Sequence, residues 1–222
     1  MGWLRDRLAA VHPLPYLIAE AGVTHGGDAR VAREMVYQAA KAGAHAIKFQ
    51  VYKASDLVSA AAPALTYFAD GGTPAANQHE FFSRYDGLER ADYVELAGYA
   101  NECGIDFLAT PFVVRDVAWL NNLVPAWKIA SADITNERLL RAVAVTDKPI
   151  ICSTGAAAIE EIENAWFRDP VRSEFAILHC VLRYPTPPSA AALHTITTLA
   201  RVFKTATIGY SDHTLWDGGS VL

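Results

Sequence analysis

Residues 46–50 read AIKFQ, an apolar run interrupted by Lys48 and closed by Gln50. Six other segments share the pattern: PYLIAEAG (15–22), DFLATPF (106–112), WKIAS (127–131), PIICSTG (149–155), FAILHC (175–180) and TIGYSD (207–212). Each is short, apolar without alternation, and closed by small or polar residues, as expected of parallel strands covered on both faces. Helical spacing follows most of them. Residues 28–42 place Val31, Met35, Val36 and Ala39 on one face behind a capping Asp28, and residues 91–103 behave similarly. Further helices are predicted over 136–145, opened by Thr135 and Asn136, over 159–167, and over 189–203 with Leu193, Ile196, Ala200 and Phe203 as its stripe. Strict β-then-α alternation implies a parallel sheet.

Where the polar residues fall separates the two sheets that fit such alternation. An open doubly wound sheet gathers its ligands at one switch point, whereas a closed barrel draws chemistry from the C-terminal ends of several strands. Here strand after strand ends in a candidate: Glu20, Lys48 with Gln50, Thr110, Lys128 with Ser131, Ser153 with Thr154, His179, and Ser211 with His213. The expected class is therefore α/β, a (β/α)8 TIM barrel with seven β/α units evident, forming a single domain over residues 1–222.

Bulk properties narrow the partners. With 52% hydrophobic residues among 222, the chain can bury a substantial core, and its formal charge of −5 comes without a basic stripe, so no nucleic-acid partner is expected. The three cysteines (Cys103, Cys152, Cys180) form no C-x-x-C pair and read as small buried hydrophobes of a reducing compartment. No window approaches the roughly 18 apolar residues of a membrane span, so a cytoplasmic location without membrane contact is expected.

A strand-end Ser or Thr is more often a turn or cap residue than a ligand contact, and a lysine inside a strand more often reaches solvent. Taken together, Lys48, Lys128, Thr110, Ser131, Ser153 and Ser211 at one barrel mouth would make a hydroxyl-and-ammonium bowl for a phosphate and a carboxylate. Neither a P-loop nor G-x-G-x-x-G is present. His12, His45, His79 and His194 read as structural, while His213, after Ser211 and Asp212, is placed to hold a divalent metal. The long connection from Tyr52 to Leu88, with Pro63, Gly71, Gly72, Pro74, Tyr67, Phe68, Phe81 and Phe82, reads as a lid over the mouth or as a plain insertion.

In order along the chain, IAEAGVTHGGD, AGAHAIKFQ, GIDFLATPF, KIASADITNERLL, KPIICSTGAAAIEEI, LHCVLRYPTP and IGYSDHT resemble the sialic acid synthase family. That family makes N-acetylneuraminate, legionaminate and pseudaminate from phosphoenolpyruvate. The resemblance implies a barrel that condenses phosphoenolpyruvate with an N-acyl hexosamine such as N-acetylmannosamine, with a divalent metal: manganese first, magnesium or cobalt as alternatives. C3 of phosphoenolpyruvate would attack the open-chain aldehyde, water would add at C2, and phosphate would leave by C–O cleavage. On this resemblance Lys48, Thr110, Lys128, Ser131, Ser153 and Ser211 hold phosphate and carboxylate, with Lys48 and Lys128 counted among the catalytic residues. Glu20 is the acid/base, His213 a metal ligand, and Gln50 and Tyr184 line the sugar side, Tyr184 as a catalytic candidate.

Departures accompany the matches. THGGD stands where the family often has NHNGD, STGA where it has STGM, and Leu182 where Asn or Ser is common, so that a polar contact is either lost or taken over by Arg183. The eighth strand and the small antifreeze-like domain that family members lend across a homodimer are not found in this sequence, which therefore reads as a truncated synthase. Two other readings stay open: a barrel aldolase or lyase using Lys48 or Lys128 as a Schiff-base nucleophile, and a non-catalytic remnant.

Overall fold

The structure, a computed structural model, describes residues 2–64, 75–168 and 174–215. It comprises two compact units, Arg7–Pro125 and Ala126–Leu222 with the first six residues. A helix that the sequence reading did not anticipate, α1 (Trp3–Val11), opens the chain.

In the unit Arg7–Pro125, strands β1 (Ile18–Gly22), β2 (Ala46–Val51) and β3 (Asp106–Pro111) pair in parallel in chain order. Helix α2 (Ala29–Lys41) starts where Asp28 accepts the Arg30 N–H, and its core face is Ala32, Val36 and Ala39. Val36 and Ala39 are buried as expected, but Val31 is 43% exposed and the small Ala32 is buried instead. The predicted helix after the long connection is α5 (Arg90–Glu102), which buries Tyr93, Leu96 and Ala100. Three short helices were not foreseen: α3 (Ala54–Leu57), α4 (Gln78–Ser83) and α6 (Val114–Leu120). Within the long connection Gly71, Gly72, Pro74, Tyr67 and Phe68 lie outside the described residues. The N-terminal end of the strands is tied by Asp106, whose carboxylate accepts from Arg7 Nη2 and from the Tyr16 hydroxyl, each at 2.6 Å. His45 has the structural part expected of it, its Nδ1 accepting the Leu17 N–H at 2.8 Å.

In the other unit, β4 (Trp127–Ile129), β5 (Ile150–Ser153), β6 (Phe175–Cys180) and β7 (Thr207–Ser211) pair in parallel in chain order. Helix α7 (Glu137–Ala144) is capped by Asn136, which accepts the Leu139 N–H, and buries Leu139, Leu140, Val143 and Ala144. Then come α8 (Ile159–Arg168) and α9 (His194–Val202). The last is shorter than expected, beginning after a 3-10 turn at Pro188–Ala190, and its anchors are Leu199 and Phe203, whereas Leu193 and Ala200 face solvent. The helix starts later than the apolar spacing suggested, so the phase of its buried stripe shifts.

Every strand is parallel to its partners and separated from the next by helix. Among the described residues seven parallel strands alternate with helices, making six complete β/α units and a seventh strand, the α/β class expected of a (β/α)8 chain.

Candidate functional site

Register decides which side chains share a face. In the unit Arg7–Pro125, Glu20 lies opposite Lys48 and Gln50 opposite Thr110, so these four stand on one face of β1–β3, while Ile47, Phe49 and Val51 point to the other. Phe49 stacks on Phe107 on that second face, which explains why Lys48 and Gln50 sit amid apolar residues without belonging to the helix-facing core. Sequence left the direction of Lys48 open; the structure buries it to 8% exposure in an ion pair with Glu20. Glu20 is half-exposed, and its other oxygen accepts the Gly22 N–H at 2.9 Å, where β1 breaks register and Gly22 takes a φ of +54°. One carboxylate is thus anchored by its own strand end and by a buried lysine.

The unit that begins at Ala126 shows the same arrangement. Lys128 pairs with Ile151, Ser153 with Leu178, and Cys180 with Ser211, so Lys128, Ser153, Cys180 and Ser211 share a face. Lys128, 5% exposed, donates to Ser153 Oγ at 2.6 Å and to the Ile129 carbonyl at 2.8 Å. Just beyond β4, Ser131 Oγ accepts the Gly155 N–H at 2.9 Å and lies 3.5 Å from Cys180 Sγ. A Cβ at position 155 would stand 3.0 Å from Ser131 Oγ and 3.2 Å from Cys180 Sγ, so a larger residue there would press on both. Burial raises the Cys180 thiol, but contacts with His213 and Ser131 outweigh it and hold the thiol below its ordinary value.

His213 sits just past β7. Its Nδ1 is 2.9 Å from the Val181 carbonyl, which can only accept, so Nδ1 carries a proton. The Tyr184 ring packs on it with centroids 4.1 Å apart. Asp212 accepts from the Thr214 N–H and hydroxyl and from the Tyr210 hydroxyl; burial opposes ionisation, yet these donors hold its carboxyl below the ordinary value. Arg183 and Leu182 stand exposed on the same loop.

The structure therefore unites Glu20 with Lys48 and sets Gln50 beside Thr110; it also unites Lys128 with Ser153, and Tyr184 with His213. It places Ser131 with Cys180, a residue the sequence reading took for simple core. Its position directly after His179 at a strand end was the available signal. Thr154 and His179 turn out structural, the former donating to the Leu178 carbonyl and the latter 2.7 Å from the Ala191 carbonyl. The donor set fits an anion: buried ammonium, hydroxyls and a backbone amide in close array. For a metal the described residues give little fit: of the expected ligands they bring His213, and no group of three or more His, Cys, Asp or Glu able to hold an ion occurs among them.

The chain is thus a parallel β/α chain whose strand ends carry buried lysines, hydroxyls and a histidine. Comparison with known proteins gives this a family: the NeuB family profile matches residues 35–221, and the chain belongs to the NeuB family. It is 38% identical over 220 residues to the uncharacterized protein MJ1065 of Methanocaldococcus jannaschii, a match covering 95% of this chain and 58% of that protein. It is 35% identical over 207 residues to the N,N'-diacetyllegionaminic acid synthase of Legionella pneumophila, covering 90% and 58% respectively. Among solved structures, the N-acetylneuraminic acid synthetase of Leptospira borgpetersenii, solved with citrate, superposes with a TM-score of 0.76 at 34% identity, covering 90% of this chain and 65% of that one. The chain thus spans somewhat over half the length of the curated relatives it matches.

Proposed function

We propose that the protein condenses phosphoenolpyruvate with an N-acylated hexose of the N-acetylmannosamine kind, giving a nine-carbon 2-keto sugar acid and phosphate. The observation that carries this reading is the buried Lys128 donating to Ser153, with the Ser131 hydroxyl held beside them by the Gly155 amide. Such donors neutralise a phosphate or carboxylate as it binds and steady the charge that builds up as phosphate departs. Thr110 and Ser211 are each assigned a further hydroxyl for the anion. Glu20, anchored but half-exposed, is placed to exchange a proton with the aldehyde oxygen as the new C–C bond forms, and Lys48 keeps its carboxylate oriented. Gln50, Tyr184 and Arg183 are assigned to the sugar. A divalent cation, manganese foremost, would have His213 as a ligand and would supply Lewis-acid chemistry when bound. The reading extends to a homodimer in the cytoplasm, as the family resemblance implies.

Atoms balance when C3 of phosphoenolpyruvate bonds to the aldehyde carbon, water supplies the oxygen at C2, and the original C2–O bond breaks. Phosphoenolpyruvate labelled with 18O in its bridging position tests this: the released phosphate should retain the label. Unlabelled phosphate, or no acceptor-dependent release, would contradict the proposal. Lys128 donates to two oxygens, the bonding of an anion-holding ammonium, which disfavours the Schiff-base alternative; a borohydride-trapped adduct on Lys48 or Lys128 would revive it.

A further inference from the structure

Asp116, on α6 in the unit Arg7–Pro125, is only 8% exposed, yet its carboxylate is poorly bonded for that burial. One oxygen accepts the Trp119 Nε1–H at 2.9 Å, and the other accepts no hydrogen bond among the described residues. Its one ion-pair partner there, Arg90 Nη2, stands 3.9 Å away, beyond hydrogen-bond reach. Taking a carboxylate out of water is costly unless a cation or several donors meet it. Asp116 has neither, and it borders a cavity of about 150 Å3 between the end of β2, the first turn of α5, and α6. Val51 lines this cavity whereas Lys48 and Gln50 do not, so it lies on the helix side of β2, separate from the strand-end donors.

The walls indicate what would complete it. Tyr93 and Trp119 offer tilted rings with centroids 5.9 Å apart, and the Tyr93 hydroxyl already donates to the Gln50 carbonyl. Two lining cations are committed: Lys53 donates to the Asp86 and Leu88 carbonyls and to Glu89, and Arg115 is bonded through both terminal nitrogens to Asp56. Arg90 is held more loosely, its side chain 64% exposed and its guanidinium 5.4 Å from the Trp119 ring centre. Water satisfies an exposed guanidinium but not a buried carboxylate, so the unmet charge at the cavity is the negative one. The Tyr93 phenol is in keeping with this: burial raises it most, and the carboxylates of Asp116, Asp92, Glu89 and Asp86 raise it further.

We propose that this cavity binds a small organic cation, an ammonium on an apolar body of about benzene's size, with the ammonium on Asp116 in place of Arg90 and the body against the Tyr93 and Trp119 rings. A cavity of about 150 Å3 holds a molecule of that size. A cation over an indole face is attracted more strongly as water is excluded.

Benzylammonium is the probe, with benzyl alcohol and benzoate as its neutral and anionic counterparts. Each is titrated into the protein by calorimetry and followed at the Trp119 indole N–H resonance, which reports on the bond to Asp116. Benzylammonium should move that resonance and bind about tenfold more tightly than either counterpart, or better. Asp116→Asn, which keeps an oxygen for Trp119, should weaken it about ten- to a hundredfold, the loss expected of a charge-assisted bond. Arg90→Ala should tighten it severalfold, because the competing guanidinium is gone. Benzoate binding as well as benzylammonium, equal affinity in a folded Asp116→Asn, or no response at Trp119 in both wild type and Arg90→Ala overturns the assignment. Should Asp116→Asn fail to fold, Arg90→Ala and the ranking of the probes still decide it.

Discussion

A single hydrogen at position 155 does more for the proposed site than its size suggests. In Gly155→Ala the new methyl would lie 3.0 Å from Ser131 Oγ, 3.2 Å from Cys180 Sγ and 3.3 Å from Leu182 Cβ, so three neighbours must give at once. Overpacking of this kind costs about 1–3 kcal/mol. We expect Gly155→Ala to unfold at a lower temperature and to bind phosphoenolpyruvate about tenfold more weakly, because the methyl displaces the Ser131 hydroxyl from the amide at 155; calorimetry reads both. His25 offers a second residue-level outcome. Burial pushes its imidazole below the ordinary value of 6.5, against the opposing pull of the Gly22 carbonyl. The unfolded chain then binds the proton more readily than the folded one, so stability is full above about pH 6.5 and declines as the pH falls below it, by at most about 1.4 kcal/mol per pH unit. Urea melts between pH 7.5 and 5 should show this slope, and His25→Gln should flatten it.

At the scale of elements, strands were easier to read than helices. The seven apolar runs are the seven strands, because a strand buried on both faces leaves a continuous signal. The short helices α1, α3, α4 and α6 left little periodicity, and α9 shifted its stripe because the chain first makes a turn at Pro188–Ala190. Candidate residues at strand ends were legible for the same reason as the strands. What sequence could not supply was direction: whether Lys48 and Lys128 were solvated or buried depended on register, and Cys180 joined the site through its register and through contacts with Ser131 and His213. Helix α7 gives the element-level prediction. Asn136 accepts the Leu139 N–H at 3.2 Å, and Asn136→Ala should destabilise the protein by about 1 kcal/mol in a denaturant titration, with substrate affinity unchanged. A larger loss, or lost affinity, would mean that α7 also shapes the strand-end donors.

For the whole molecule, the repeated β/α unit explains why chemistry collects where it does: each strand delivers its last residues to the same end of its own sheet, and variation there leaves the core untouched. Membership of the NeuB family, the parallel strands and the buried lysines are what support the proposed anion-holding role. No helix among the described residues is long and apolar enough to cross a membrane. The central claim is that the strand-end donors around Lys128 hold phosphoenolpyruvate. Its most direct test is calorimetric titration of phosphoenolpyruvate into the wild-type chain and into Lys128→Ala. Loss of a charge-assisted bond worth about 1.5–3 kcal/mol predicts binding weakened roughly ten- to a hundredfold in the variant. Equal binding by wild type and a folded Lys128→Ala, or none by wild type, would contradict it.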